Sequence, residues 1–424
     1  MQSKEEFCNL ISRTISRAAT AALAMATVFS LTVVLTQPAQ AQTFKVIHNF
    51  TGGQDGGFPM AGLTMDQAGN LYGTTYLGTA FRLSKKGSGW ISNPLHGFGG
   101  GDDGLDPYGG VVFGPDGGLY GTTSLGGVPG GCDGRGCGTV FSVRPSAAAC
   151  KTALCPWTET VLHRFSEGSD GTNPISDLIF DQTGNLYGTT NFGGAYGQGT
   201  VFELVPSQSG WTENVLYSFT GSSDGSQPWA GLIFDNLGNL YGTTFTGGTY
   251  NAGTVFQLTP SGSGWIENVL YSFQEGNDGA GPAGGLIFDS AGNLYGTASV
   301  GGAGNGGTAF QLTPSKGAGP WTFTLVYVFS GDNYYGPAGT LVMDAAGNLY
   351  GTTYQDGANL CGSVFKLTPT NGGWAYTNLH DFTCSSDGGF PAGNVTFDAN
   401  GNLYSTASQF GTHGYGTVWE ITFP

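Results

Sequence analysis

Beyond residue 42 the chain alternates short apolar runs with clusters of glycine, asparagine, serine and proline. Between 231 and 273, Gly231-Leu-Ile-Phe-Asp235 is one apolar run, and Asn236-Leu-Gly-Asn239 is a turn rich in residues that accept positive φ. Leu240-Tyr-Gly-Thr-Thr244 is the next run, and a glycine-rich loop over 245–252 leads to Gly253-Thr-Val-Phe-Gln-Leu258. Pro260-Ser-Gly-Ser-Gly264 then turns the chain into Trp265–Phe273. β-Branched and aromatic residues fill the runs, so the pattern predicts four consecutive strands, a to d. No helical period of 3.6 stands out after residue 41.

The same four runs recur seven times, each copy carrying a variant of Asn-Leu-Tyr-Gly-Thr-Thr. The tyrosines are Tyr72, Tyr120, Tyr187, Tyr241, Tyr295, Tyr350 and Tyr404, at steps of 48, 67, 54, 54, 55 and 54. Four short antiparallel strands every ~54 residues fit a propeller blade; a solenoid coil, at about 20–30 residues, or a pair of sandwiches fits less well. The expected fold is therefore all-β: a seven-bladed β-propeller over 42–424 with four-stranded antiparallel blades. Phe44–Phe50 matches strand d, whereas Gly416–Pro424 matches strand c and ends there. An N-terminal strand pairing with the last blade would close the ring and tie down both ends.

The recurring Gly-Leu-Ile-Phe-Asp, Gly-Asn-Leu-Tyr-Gly-Thr-Thr and Gly-Thr-Val-Phe-Gln-Leu-Thr-Pro segments resemble the GloVer-type tandem repeats of exported bacterial proteins over nearly all of 44–424. The resemblance implies an extracellular or surface-associated protein and supplies no catalytic residues. Members carry varied C-terminal anchoring segments; no such anchor is visible here, which favours a secreted or periplasmic location.

Residues 1–41 read as a signal peptide. Lys4, Arg13 and Arg17 precede an apolar run from Ala21 to Leu35, and Pro38-Ala-Gln-Ala41 offers a cleavage site. That run is shorter than the ~20 residues that span a bilayer, an uncleaved anchor being the alternative, and no membrane span is expected in the mature chain. Three of the 13 Lys and Arg and two of the 29 Asp and Glu precede residue 42, which leaves 10 and 27, a net −17. Such a surface repels phosphate backbones, so nucleic acid is an unfavourable partner. A monomer is the expected state.

In a propeller the d→a and b→c loops share one face. The d→a loops repeat Asp-Gly-x-x-Pro, with Asp55, Asp103, Asp170, Asp224, Asp278 and Asp387; the sixth blade has Asp332 in a longer version. Turn chemistry explains an Asp in every blade, since Asp accepts backbone N–H bonds and Gly takes positive φ. Ca²⁺ ligation is the possible functional alternative, though Ca²⁺ wants 6–8 oxygens. A second series in the opposite-face hairpins, Asp66, Asp181, Asp235, Asp289, Asp344 and Asp398, reads the same way.

Departures from the repeat point to a ligand. After each loop proline comes a residue expected at the rim of the central channel: Met60, Tyr108, Ile175, Trp229, Ala283, Ala338 and Ala392. The position opening strand a is glycine in four blades but Asp177, Thr340 and Asn394 in the others. A lopsided pocket is expected, with aromatic walls at Tyr108 and Trp229 and polar contacts from Asp177, Thr340 and Asn394; packing variation is the competing account. The leading functional expectation is a non-catalytic propeller binding an extracellular glycan or protein. The alternatives are a hydrolase or lyase with Asp177 and Asp106 as acid and base, possibly Ca²⁺-dependent, and a structural surface protein.

His48, His96, His163 and His380 hold one register position in strand d, where Tyr217, Tyr271 and Tyr327 stand in other blades. Outer strands are too far apart for a shared site, because Zn–N bonds are ~2.1 Å. No metal ligand set is therefore read from the sequence. Gly221-Ser-Ser-Asp-Gly225 matches G-x-S-x-G but lies in a loop, not a strand-to-helix elbow. Six cysteines remain after Cys8. The pairs Cys132–Cys137, Cys150–Cys155 and Cys361–Cys384 are favoured as disulfides in an exported chain, with Zn²⁺ on the first four as the alternative.

Overall fold

A computed structural model describes residues 42–146, 157–262, 264–315, 319–331 and 335–424. The expected signal peptide and the Cys150–Cys155 pair lie outside them. The described residues form seven four-stranded antiparallel sheets and no α-helix. The chain is a seven-bladed β-propeller. In the fourth blade, strand a is Ile233–Phe234, b is Leu240–Thr244, c is Thr254–Ser261 and d is Gly264–Ser272. The sequence run of five for strand a shrinks to two paired residues in every blade. Its leading residues lie at the axis, where two of their N–H groups turn to the neighbouring blade: Gly110 N–H bonds Asp177 and Gly285 N–H bonds Thr340. Strands c and d run further than expected, pairing Pro260 with Trp265 and Ser261 with Gly264.

Each residue of Leu-Tyr-Gly-Thr-Thr has a separate task. Leu240 is fully buried between Tyr187, Val201 and Phe219 of the preceding blade and Leu232, Phe256 and Leu258 of its own. Tyr241 crosses the seam to the next blade and meets Phe288 edge-on at 5.1 Å. Gly242 leaves room for the Phe256 ring of strand c, since a Cβ there would lie 2.6 Å from its Cζ. Thr243 donates to the Gly284 carbonyl of the next blade at 3.3 Å. Thr244 bonds Thr254 of strand c at 2.8 Å. The pattern travels round the ring: Thr74, Thr122 and Thr352 donate to Gly109, Ser176 and Gly393.

The core lies between blades as much as within them. The phenylalanine ending strand d packs against the strand c aromatic of the next blade, as Phe165–Phe202 at 5.2 Å, Phe219–Phe256 at 5.1 Å and Phe273–Phe310 at 5.2 Å. Such edge-on pairs add about 0.5–1.5 kcal/mol each beyond their buried area.

The hairpin aspartates are clamps. Asp235 Oδ1 accepts the N–H groups of Leu237 and Asn239, and Oδ2 accepts Asn239 Nδ2 and the Tyr241 hydroxyl. Asp66, Asp289, Asp344 and Asp398 repeat these bonds. Partial burial pushes each carboxyl up, but the hydrogen bonds from Asn, backbone and Tyr outweigh it and hold it below its ordinary value.

Both termini meet in the last blade. Thr43–Asn49 is its outer strand, paired with Thr417–Thr422. Phe50 N–H bonds Gly416 O at 3.1 Å, and Thr406 of this blade donates to Ala61 O of the first at 2.7 Å. Phe50 then packs on Phe81 at 5.1 Å, repeating the seam contact at the point of closure.

Candidate functional site

The strand a openings surround the axis. Tyr108, Asp177, Trp229, Thr340 and Asn394 all line one central cavity, together with the other rim positions Met60, Ile175, Ala283, Ala338 and Ala392. The glycines beside the polar groups leave them space. A Cβ on Gly62 would strike the Asn394 amide oxygen at 2.1 Å, and one on Gly285 would meet Thr340 Oγ1 at 2.7 Å.

Two of these polar groups have structural partners. Asp177 Oδ1 accepts Gly110 N–H at 2.6 Å, and Thr340 Oγ1 accepts Gly285 N–H at 2.9 Å. Asp177 faces the lumen and is solvent-accessible there, while protein encloses it elsewhere. That enclosure pushes its carboxyl up, against the Gly110 N–H that favours the anion. Trp229 stacks on Phe245 at 4.2 Å, and its Nε1 is buried without a hydrogen-bond partner. The cavity holds about 90 Å³. Sites that enclose a small molecule run to ~300–1,000 Å³. The channel therefore admits one projecting group of a ligand rather than a whole sugar ring.

Asp106 does not join Asp177. Its backbone takes φ 55, and its carboxyl lies with Tyr76 and Arg135, outside the channel lining. Burial raises its pKa, opposed by the Tyr76 hydroxyl and Arg135. Asp177 is the sole ionisable carboxyl among the lining residues, so the channel holds no acid–base pair of carboxylates.

Around the mouth, the d→a and b→c loops interlock. Bridges join Thr172 to Phe192 and Ser226 to Thr246 within blades, and Gln227 N–H reaches Gln198 O of the preceding blade at 2.8 Å. The disulfide Cys361–Cys384 ties two such loops, with Cα atoms 5.5 Å apart, and Cys132–Cys137 closes a single loop at 5.3 Å. This collar carries aromatic rings: Tyr354 stacks on Phe390 at 5.2 Å, and Phe58 lies 5.5 Å from Tyr415. Among the described residues the exposed aromatic side chains are Tyr76, Phe192, Tyr196, Tyr250 and Tyr335, and all five stand on loops of this face. None of the five stands at a rim or strand a position, so the departures from the repeat do not mark them; the aromatic content of the loops does.

The Asp-Gly-x-x-Pro aspartates serve their own turns. Asp224 Oδ2 accepts Thr220 N–H at 2.8 Å and the strand d Tyr217 hydroxyl at 3.0 Å. Asp278 does the same with Gln274 N–H and Tyr271. In other blades histidine replaces tyrosine: His96 to Asp103 is 2.8 Å, His380 to Asp387 3.1 Å, His48 to Asp55 3.3 Å and His163 to Asp170 3.7 Å. The four histidines thus each meet a separate loop, as their spacing requires. The G-x-S-x-G match is the Asp224 turn itself, with Gly221 N–H bonded to Gly225 O at 3.1 Å. Asp332 of the sixth blade lies outside the described residues.

One grouping went unforeseen. Glu159, on strand d of the second blade (Trp157–Arg164), comes beside His96 and Asp103 of the preceding blade and loop. Burial, then the Asp103 charge, push its carboxyl up to about 7, with Arg164 opposing.

A family model described as a Gloeobacter/Verrucomicrobia repeat matches residues 135–333 and 268–424. No curated protein is similar in sequence. Among solved structures, a fungal alcohol oxidase of the AA5 family in complex with copper shares 14% identity over 91% of this chain and 77% of that one, with a TM-score of 0.52. A putative 6-phosphogluconolactonase from Bacteroides uniformis shares 16% over 87% and 90%, at 0.47. A Trichoderma reesei protein of family AA12, solved with calcium, shares 13% over 91% and 96%, at 0.44. At such identities the likeness shows the fold alone.

Proposed function

The chain belongs to the Gloeobacter/Verrucomicrobia repeat family, and we propose that it is an exported, non-catalytic propeller that binds a glycan across its loop face. The observation that carries this reading is the confinement, among the described residues, of the exposed aromatic side chains to that face, around a mouth walled by Tyr108 and Trp229. Aromatic faces take the C–H surfaces of sugar rings, and a few polar groups fix orientation. Asp177, Thr340 and Asn394 provide acceptors for one hydroxyl-bearing group projecting into the channel. The lone lining carboxyl supports binding over hydrolysis. Cleavage after Ala41 would deliver the chain to an oxidising compartment, where its disulfides persist.

Affinity electrophoresis against soluble polysaccharides, followed by a glycan array, tests the reading. Trp229→Ala keeps the fold, because Ala283, Ala338 and Ala392 hold the same position in other blades. It should weaken retention ~30-fold or more, the effect of losing a central aromatic anchor. The screen is run in EDTA and in Ca²⁺, since loop carboxylates and carbonyls are oxygen donors of the kind Ca²⁺ takes. Retention restored by Ca²⁺ alone would add calcium to the site. Absence of any retained glycan, or retention indifferent to both Trp229→Ala and Tyr108→Ala, would reject the reading in favour of a protein partner.

A further inference from the structure

At six of the seven seams between blades, the strand d His or Tyr of one blade stands beside a fixed position in strand d of the next. Those partners are Phe323 against Tyr271, Tyr376 against Tyr327 and Phe44 against His380, stacked at 4.4, 4.9 and 3.6 Å. Three seams are therefore sealed by aromatic stacks. The early blades break this rule by placing Glu159, Glu213 and Glu267 at the same register position. A carboxylate is a poor seal for a seam, and each of the three has an Oε1 that is shut off from solvent without a hydrogen-bond partner.

We propose that His96, Asp103 and Glu159 form a binding site for one divalent first-row metal ion of the Zn²⁺ type. The three come from separate segments: strand d of the first blade (Gly89–Gly97), the short 3-10 turn Gly101–Asp103, and strand d of the second blade. One ligand atom from each lies within 4.8 Å of the others, the only such gathering of His, Cys, Asp or Glu among the described residues. His96 Nε2 and Asp103 Oδ1 are 2.8 Å apart, and Gly99 N–H holds Oδ2 of the same carboxylate at 2.8 Å. That second bond aims Oδ1 at the imidazole, as outer-shell partners do for metal ligands. The orphaned Glu159 Oε1 completes the set.

The donor chemistry selects the ion. One imidazole nitrogen with two carboxylates suits Zn²⁺, whereas Ca²⁺ and Mg²⁺ take oxygen ligands. Two carboxylates and a neutral imidazole carry a charge that a divalent ion cancels. On binding, the ion takes the place of the hydrogen between His96 Nε2 and Asp103, the imidazole carries its one proton on Nδ1, and any second proton held by the three groups leaves to solvent. The next seam carries the same residue types, His163, Asp170 and Glu213, but His163 stands 3.7 Å from Asp170 and the three do not gather within the same limit. One ion per chain is therefore expected.

The test is isothermal titration of the EDTA-stripped, dialysed protein with ZnCl₂, with CaCl₂ in parallel, and metal content by mass spectrometry. One Zn²⁺ per chain is expected, with no Ca²⁺ binding that the same variants abolish. His96→Tyr should abolish the Zn²⁺ site with an unchanged circular dichroism spectrum, because Tyr217 and Tyr271 occupy that register in other blades. Glu159→Gln should weaken binding at least ~10-fold, and Glu213→Gln should leave the stoichiometry at one. Failure of the stripped protein to bind Zn²⁺ at ~100 μM, a concentration far above the dissociation constants of built zinc sites, would overturn the proposal. So would Zn²⁺ binding untouched by both His96→Tyr and Glu159→Gln.

Discussion

Replacing Gly242 by alanine isolates the packing rule on which every blade depends. The new Cβ would lie 2.6 Å from Phe256 Cζ and 2.9 Å from Leu232 Cδ2. Neither side chain has room to retreat, since Phe256 is fully buried and Leu232 is 4% exposed. Gly242 is not among the positive-φ glycines, so the penalty is steric and not torsional. Overpacking of this kind costs about 1–3 kcal/mol. Alanine recovers about 0.4–1 kcal/mol by restricting the unfolded chain. Sterics win, and a net loss of about 1–2 kcal/mol is expected. Urea unfolding followed by tryptophan fluorescence would show a lower midpoint at unchanged slope. Phe256→Leu trims the ring, so Gly242→Ala with Phe256→Leu should lose at least ~1 kcal/mol less than the two single changes together. The seventh blade already alters the two positions jointly: Ser405 stands for the glycine and Trp419 for the phenylalanine, with Ser405 Oγ bonded to Asn394 O at 2.7 Å. A neutral Gly242→Ala, or strict additivity in the double variant, would refute the reasoning.

Three further outcomes follow from the same contacts. Burial raises Glu213 and Glu267 to about 7 from 4.5, opposed at Glu213 by His163 and aided by Asp170 there and by Asp224 at Glu267, so the folded state binds these protons more tightly and stability should rise as pH falls from about 7 towards 4.5. The hairpin aspartates are depressed, so their contribution is complete above 3.8 and lost as pH falls through their lower folded values; the melting temperature should peak at about pH 4–5, and Glu213→Gln with Glu267→Gln should reduce the slope on the neutral side. Removing Thr43–Phe50 strips the outer strand from the last blade and bares the edge of Thr417–Thr422, and size-exclusion chromatography should show self-association in place of a monodisperse peak. Cys361→Ser with Cys384→Ser should cost about 3 kcal/mol in urea unfolding, the chain-entropy value for a loop of this length.

The blade number, the strand order within each blade and the closure by the N-terminal strand were all legible in the sequence. They rest on local rules: the alternation of apolar runs and turns, and aspartates that bond backbone only a few residues away, as Asp235 does with Leu237 and Asn239. Seven repetitions of one weak local pattern make a strong one. The ring itself also follows, because it places Tyr108, Asp177, Trp229, Thr340 and Asn394 on one axis by symmetry alone. Tertiary structure decided what symmetry does not. It set the channel at about 90 Å³, sent Asp106 to Tyr76 instead of Asp177, and brought Glu159 against His96 and Asp103 across a seam. Such meetings depend on the stagger between blades and on how far each side chain reaches. A repeat encodes what recurs within a blade; the distance between two blades is set by the packing of both.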